Sequence, residues 1–285
     1  MRESLNICGI NMCLDVEDAY LFNDCNYKPF YLAHERDTDI SVVMSTTVRL
    51  LELQQNFLRI NTTCSYYDET AKSHLQWDIA MLEEDGKKCR SWMSANTDWS
   101  TIKIYANKTP LPPYLETNYL ISAFSSRLSY FGGFVMHGSV VEHNGLGVVF
   151  TASSGVGKTT HAELWAKHFA DPIINGDRAV LRVIGEEVFV YGSPWSGSSV
   201  YVVNSKAPLA AIIVLEQADV NQIRKLNILE SLQYFATHCY LPVWSGELTA
   251  LCMKTLDEVL KRTPVYLLQC RPDQASAELV RDTIF

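Results

Sequence analysis

The sequence has no run that approaches the roughly 20 apolar residues a membrane span needs, so no membrane partner is expected. Its 8 cysteines include no C-x-x-C pair and no Cys/His cluster at zinc spacing, which excludes a structural metal of the zinc type. The closest two, Cys8 and Cys13, read as small apolar side chains. Basic residues are also in short supply: 24 Lys and Arg against 32 Asp and Glu give a net charge of −8. Duplex nucleic acid and anionic membrane surfaces are thereby excluded as main partners, and any phosphate site must be local. The first residues, MRESLNICGINMCLDVEDAY, contain no continuous apolar stretch behind a basic start. Free thiols without an export signal lead us to expect a cytoplasmic protein. Internal repeats and low-complexity tracts are absent as well.

What is there suits an ordinary globular protein with room for two modest domains: 285 residues, 47% apolar and 20% charged. From Asp39 the pattern is strand-like, with ISVVMSTTV, SYYDE and then LQWDIAML, where Leu75, Trp77, Ile79 and Met81 alternate with more polar neighbours. A hairpin turn is expected at Glu84-Asp85-Gly86-Lys87 before CRSWMSA, and TIKIYAN supplies another strand with Ile102 and Ile104 on its buried side. Residues 1–108 are therefore expected to form a small, mainly β, mostly antiparallel module, serving as a lid or in substrate recognition. Pro110, Pro112 and Pro113 bar a helix and mark a junction, so residues 114–285 read as a second, α/β domain.

That domain holds the stretch with the most chemical information. Val148-Val149-Phe150 reads as a buried strand, and Thr160–Phe169 as a helix with Ala162, Trp165, Ala166 and Phe169 near one face. Between them lies Ala152-Ser153-Ser154-Gly155-Val156-Gly157-Lys158-Thr159. Small residues in this position let successive backbone N–H groups converge on oxyanions, and the N-terminus of the helix adds a favourable partial charge. The spacing matches the nucleotide-binding pattern G-x-x-x-x-G-K-[ST], except that Ala152 stands where glycine is usual, which is costly if that position requires positive φ. Ser153, Ser154, Gly155, Val156, Gly157, Lys158, Thr159 and Thr160 are thus the candidate phosphate-binding residues. In this pattern the lysine serves the terminal phosphates and the Thr159 hydroxyl serves Mg²⁺.

Transfer of a phosphoryl group further needs a second metal ligand, a group to take the acceptor's proton, and positive charge on the moving group. Asp177, ending the apolar strand that begins at Ile173-Ile174, is placed to face the loop across the carboxyl edge of the sheet, as metal ligand and base. His137, before Gly138 in the strand Phe134–Val141, can bond a phosphate or orient a carboxylate. Arg178 is the candidate clamp. Asn175 can bond loop backbone, and His161, in the helix's first turn, reads as exposed. The turn-rich loop Gly192–Ser199 holds Trp195, either as a ligand contact or as a staple for the turn. Further strands are expected at Leu146–Thr151, Val180–Arg182, Val188–Tyr191, Leu209–Leu215 and VYLLQC, with helices over Leu115–Tyr130, Glu230–Thr237, Glu247–Lys261 and SAELVRDTIF.

Residues 134–182, with MHGSVV, GLGVVFTASSGVGKTTHAELW and INGDRAVLR in that order, resemble the catalytic domain of the HPr serine kinase family. The resemblance is closer to bacterial HPr-kinase-like proteins with an NDD/NGD motif and a GTPWSGK-like loop, matched here by Gly192-Ser193-Pro194-Trp195-Ser196-Gly197. It covers about the last 170 residues and implies a P-loop kinase domain of HPr-kinase type that uses ATP and Mg²⁺. The acceptor it implies is a serine hydroxyl of a peptide or protein, as in kinases that accompany ribosomally made lasso peptides, and a homo-oligomer is compatible with it. Three departures stand out. Gly176 replaces the first of two adjacent acidic residues, Ala152 replaces the first glycine of the loop, and Ser198 stands where the related loop has lysine. The downstream glycine-rich signature of HPr kinase itself is missing, which argues against HPr as the substrate. The expectation is therefore an ATP-dependent serine kinase. The alternatives are a catalytically impaired ATP-binding regulatory or peptide-recognition protein, and an ATPase.

Overall fold

The computed structural model describes residues 2–16, 25–34, 36–45, 58–60, 63–67, 76–82, 89–106 and 113–285. The turn expected at Glu84–Lys87, the prolines at 110 and 112, and the side chains of the LQWDIAML strand lie outside the described residues. Two compact units are present, Met1–Arg127 with Pro242–Gly246, and Leu128–Leu241 with Glu247–Phe285. Among the described residues no helix is long and apolar enough to cross a membrane.

The first unit is built on a sheet of β1 (Arg2–Ile7), β2 (Ile10–Val16), β3 (Ile40–Ser45), β4 (Leu58–Ile60), β5 (Thr63–Tyr67), β6 (Gln76–Leu82), β7 (Cys89–Asn96) and β8 (Thr101–Ala106). Their order is β1-β2-β3-β8-β7-β6-β5-β4. The β2–β3 and β3–β8 pairings are parallel and the rest antiparallel. Ile102 and Ile104 are buried as expected, facing inward with Val42 and Met44. The β1–β2 hairpin turns on Cys8 and Gly9, at φ 56° and 79°, the two left-handed positions of a tight hairpin loop. A cysteine is an uncommon occupant of such a position, which is why the sequence pattern gives no sign of this hairpin. Cys8 and Cys13 are buried and form no disulfide, and the Cys13 Sγ accepts from Arg2 Nε (3.1 Å).

The helix α1 (Pro113–Ser129) begins on Pro113, which corrects the expectation that this proline bars a helix, since at a first helical position its missing N–H costs nothing; it buries Tyr119, Leu120, Ala123 and Leu128. The second unit is then organised around two long strands, β9 (Gly133–His143) and β14 (Lys206–Gln217). The other elements are β10 (Leu146–Thr151), α2 (Lys158–Phe169), β11 (Ile173–Asn175), β12 (Arg178–Ile184), β13 (Glu187–Tyr191), β15 (Gln222–Lys225), α3 (Ile228–His238), β16 (Cys239–Tyr240), α4 (Gly246–Arg262), β17 (Val265–Cys270) and α5 (Gln274–Ile284). β9 pairs with β12, β12 with β13, β13 with β14, β14 with β10, and β10 with β9. The pairings therefore close a circuit. β14 is apolar from Leu209 to Leu215 because both its faces are covered. Ile212 and Val214 join a core that includes Phe235 of α3 and Leu256 of α4, while Ala211 and Ile213 join one that includes Trp165 of α2 and Val280 of α5.

Candidate functional site

β10 delivers the chain into the loop at Ala152, whose side chain is buried. The non-glycine residues at positive φ are Cys8, Trp99, Asn144 and Ala170 among those described, so Ala152 bears none of the strain that its replacement of glycine raised. The left-handed positions are Gly155 at φ 82° and Gly157 at φ 119°, where any L side chain is strained. No atom of the described residues would lie within 4 Å of a Cβ added at Gly155. α2 starts directly after Gly157, earlier than the Thr160 expected from sequence. No side chain caps it and its first turn holds no acidic residue, which leaves the N-terminal N–H groups free to meet an anion. The Lys158 Nζ donates to the carbonyls of Ala152 (3.1 Å) and Ser153 (3.3 Å), tethering the ammonium to the loop it follows. Burial pushes this ammonium below its usual range, the Asp177 charge draws it back up and Arg178 pushes it down.

The pairing of β11 with β9 shifts register between Ile173 and Asn175; from there on the register is constant, Asn175 opposite Val140 and Arg178 opposite His137, so Asp177 falls opposite Gly138. The Gly138 N–H donates to the Asp177 carbonyl (2.9 Å). A Cβ on Gly138 would stand 2.9 Å from Val149 Cγ1; the glycine lets β9 and β10 approach. The Asp177 Oδ1 lies 2.8 Å from His137 Nε2 and its Oδ2 3.0 Å from Arg178 Nε. Burial raises the pKa of this carboxyl, but the His137 hydrogen bond and the charges of Arg178, His137 and Lys158 outweigh it and hold it below the usual range. Asn175, fully buried, fixes the turn: its Oδ1 accepts from the N–H of Asp177 (2.9 Å) and Arg178 (2.7 Å), and its Nδ2 donates to the Ser193 carbonyl (2.9 Å). The carbonyl of Gly176 accepts from both Ser139 Oγ (2.8 Å) and Thr159 Oγ1 (3.2 Å), joining the Asp177 turn to the first turn of α2.

The loop from Gly192 to Ser199 closes over this turn. Trp195 is buried, which decides for the staple reading of that residue. What the loop presents to the turn is Gly197, whose added Cβ would stand 2.7 Å from Asp177 Oδ2, and Ser199, whose Cβ and Oγ occupy the space beside Gly176 Cα. Position 176 therefore has no room for a side chain. Gly176→Ala is expected to destabilise the protein by about 1–3 kcal/mol, read as a lower denaturation midpoint, and Ser199→Gly in the same chain should recover most of the loss. An unchanged midpoint for the single variant would contradict this packing.

No protein-family model matches the sequence, and no curated protein does. Among solved structures, the Hpr(Ser) kinase/phosphatase from Coxiella burnetii aligns with 52% of this chain and 95% of its own, at 13% identity and a TM-score of 0.33.

Of the candidate residues, Lys158, Arg178 and His137 all lie within electrostatic reach of Asp177, and Thr159 reaches the same turn through Gly176. Ser153, Ser154, Gly155 and Thr160 are exposed along the loop and first turn, with Val156 and Gly157 half-buried. His161 is a correction: it is 2% exposed, turned inward with its ring centroid 4.6 Å from that of Phe150. Ser139, Ser199 and Gln217, whose Nε2 donates to the Val156 carbonyl (3.2 Å), are structural members of the site that no local pattern announces, because each acts on a residue distant in sequence.

Proposed function

We propose that this protein binds a nucleoside triphosphate, ATP, with Mg²⁺ and transfers its terminal phosphoryl group to a hydroxyl, a serine of a peptide or protein. The observation that supports this most is the convergence of the uncapped α2 N-terminus, Lys158 and the Asp177–His137–Arg178 cluster on one turn. Bound nucleotide would supply the phosphoryl group, and Mg²⁺ would offset its charge. The backbone N–H groups from Ser153 to Thr160 and the Lys158 ammonium bind and orient the phosphates. Thr159 commits its proton to the Gly176 carbonyl, so its oxygen lone pairs are available to a cation, and the Asp177 carboxylate is the second protein ligand. No cluster of three His, Cys, Asp or Glu side chains suited to a metal occurs among the described residues. Mg²⁺ held by one carboxylate, a hydroxyl and substrate phosphates needs no such cluster. Asp177, bonded to His137 Nε2, takes the proton that the acceptor hydroxyl releases, and Arg178 stabilises negative charge beside it.

The filled space beside Gly176 favours a second reading, a nucleotide-binding protein that recognises a peptide without transferring phosphate. One experiment separates the two. Calorimetric titration of ATP with and without Mg²⁺, followed by incubation with serine-containing peptides, should give metal-dependent binding and a phosphorylated peptide. Metal-dependent binding with no phosphorylated product supports the recognition reading. Lack of ATP binding overturns both.

A further inference from the structure

Two cavities open on the loop from opposite faces of the end of β14. The larger, about 490 Å³, lies on the α3 side, between Ala152, Ser153, Tyr234 and His238. The smaller, about 170 Å³, lies between the first turn of α2 and the chain after β17. The Gln217 hydrogen bond to Val156 belongs to the lining of both. Only the smaller is lined by the α2 residues Thr160 and His161. None of His137, Asp177 and Arg178 lines it, so whatever enters it is not the reacting group.

His161 is the feature that needs a ligand. It is 2% exposed, it lines the smaller cavity, and its Nε2 has no hydrogen-bond partner among the described residues. A buried polar atom left in this state costs free energy that a ligand can recover. A hydrogen-bonding ring edge that enters the cavity would supply the missing partner. The remaining lining combines apolar surface from Val156, Leu215 and Pro272 with polar groups of Thr160, Glu216 and Gln217, which suits a flat ring with a polar edge. The volume lies below the roughly 300–1,000 Å³ typical of sites for drug-sized ligands, and so fits one ring system whose phosphates stay outside on the loop.

We propose that this cavity is the nucleobase site of the nucleotide held by the loop, and that His161 determines which base it accepts. This rests on the phosphate-binding reading of residues 153–160. The test is calorimetry on the full chain with Mg²⁺ and, in turn, ATP, GTP, CTP and inorganic tripolyphosphate, for the wild type, His161→Leu and His161→Gln. The wild type is expected to rank the three nucleotides and to bind its preferred one more tightly than tripolyphosphate. His161→Leu should weaken that nucleotide about tenfold, the scale of one hydrogen bond, leave tripolyphosphate affinity unchanged, and not lower the melting temperature of the free protein, since the Nε2 it removes bonds to none of the described residues there. His161→Gln, which keeps a donor and an acceptor, should regain part of the preference. Equal binding of all four ligands, or an unchanged ranking in His161→Leu, overturns the assignment while leaving the phosphate site standing. Failure of the wild type to bind tripolyphosphate and nucleotides alike overturns the phosphate reading and this inference with it.

Discussion

Lys158→Met is expected to reduce phosphoryl transfer by about a thousandfold, the upper end of what removal of one group stabilising transition-state charge costs, without weakening the fold. Lys158 is buried as a residue, and its ammonium points at the loop, where the Ala152 and Ser153 carbonyls hold it. Its pKa is depressed, first by burial, so the charged form is less favourable in the folded chain than in the unfolded one. At neutral pH this is a cost to folding that methionine removes while keeping the aliphatic stem. The melting temperature of the ligand-free variant should equal or exceed that of the wild type, and Mg·ATP titration should show weakened binding. A variant that transfers phosphate at the wild-type rate would remove Lys158 from the mechanism.

Asp177→Asn should cut transfer by about a hundredfold or more, combining the loss of a base with the loss of a metal ligand, and should abolish the metal dependence of ATP binding. Its stability effect has a definite pH signature. The folded pKa of Asp177 is depressed, so its contribution is complete above the ordinary carboxylate pKa of about 3.9 and disappears as pH falls through the lower folded value. Wild type and variant should therefore differ in denaturation midpoint at pH 7 and converge in acid. A gap that persists unchanged into strong acid would mean that the ion pairs with His137 and Arg178 are not what Asp177 contributes to the fold.

The parts of this architecture that were legible in the sequence are those whose cause is local. The apolar run of β14, the glycines that turn the loop, the periodicity of α2 and the polar turn after Ile174 each announce themselves within a few residues; the structure has β10, β11, β14 and β17 on the stretches the pattern marks, and α2 there too, begun one half-turn earlier at Lys158. What stayed illegible depends on neighbours far along the chain. Nothing near Gly176 says that Ser199 fills its side-chain space, nothing near Gln217 points to Val156, and the inward turn of His161 is set by Phe150 and the chain after β17. The β1–β2 hairpin was hidden for a different reason: a cysteine in a left-handed turn position has no distinctive signature.

The closed circuit of strand pairings has an implication for how such a site can change over generations. A strand at a free edge can shift by one residue and re-aim its side chains, but β9 is held by β10 along one edge and by β11 and β12 along the other, and the circuit returns to it through β14. Any slip of β9 would separate His137 from Arg178 and Asp177 and, in the same movement, carry Gly138 away from the narrow gap at Val149. The chemistry and the closure of the barrel-like ring would be lost together. New specificities are therefore open to this scaffold through its loops, above all the stretch from Gly192 to Ser199, while the strand that presents His137 is fixed for as long as the ring exists.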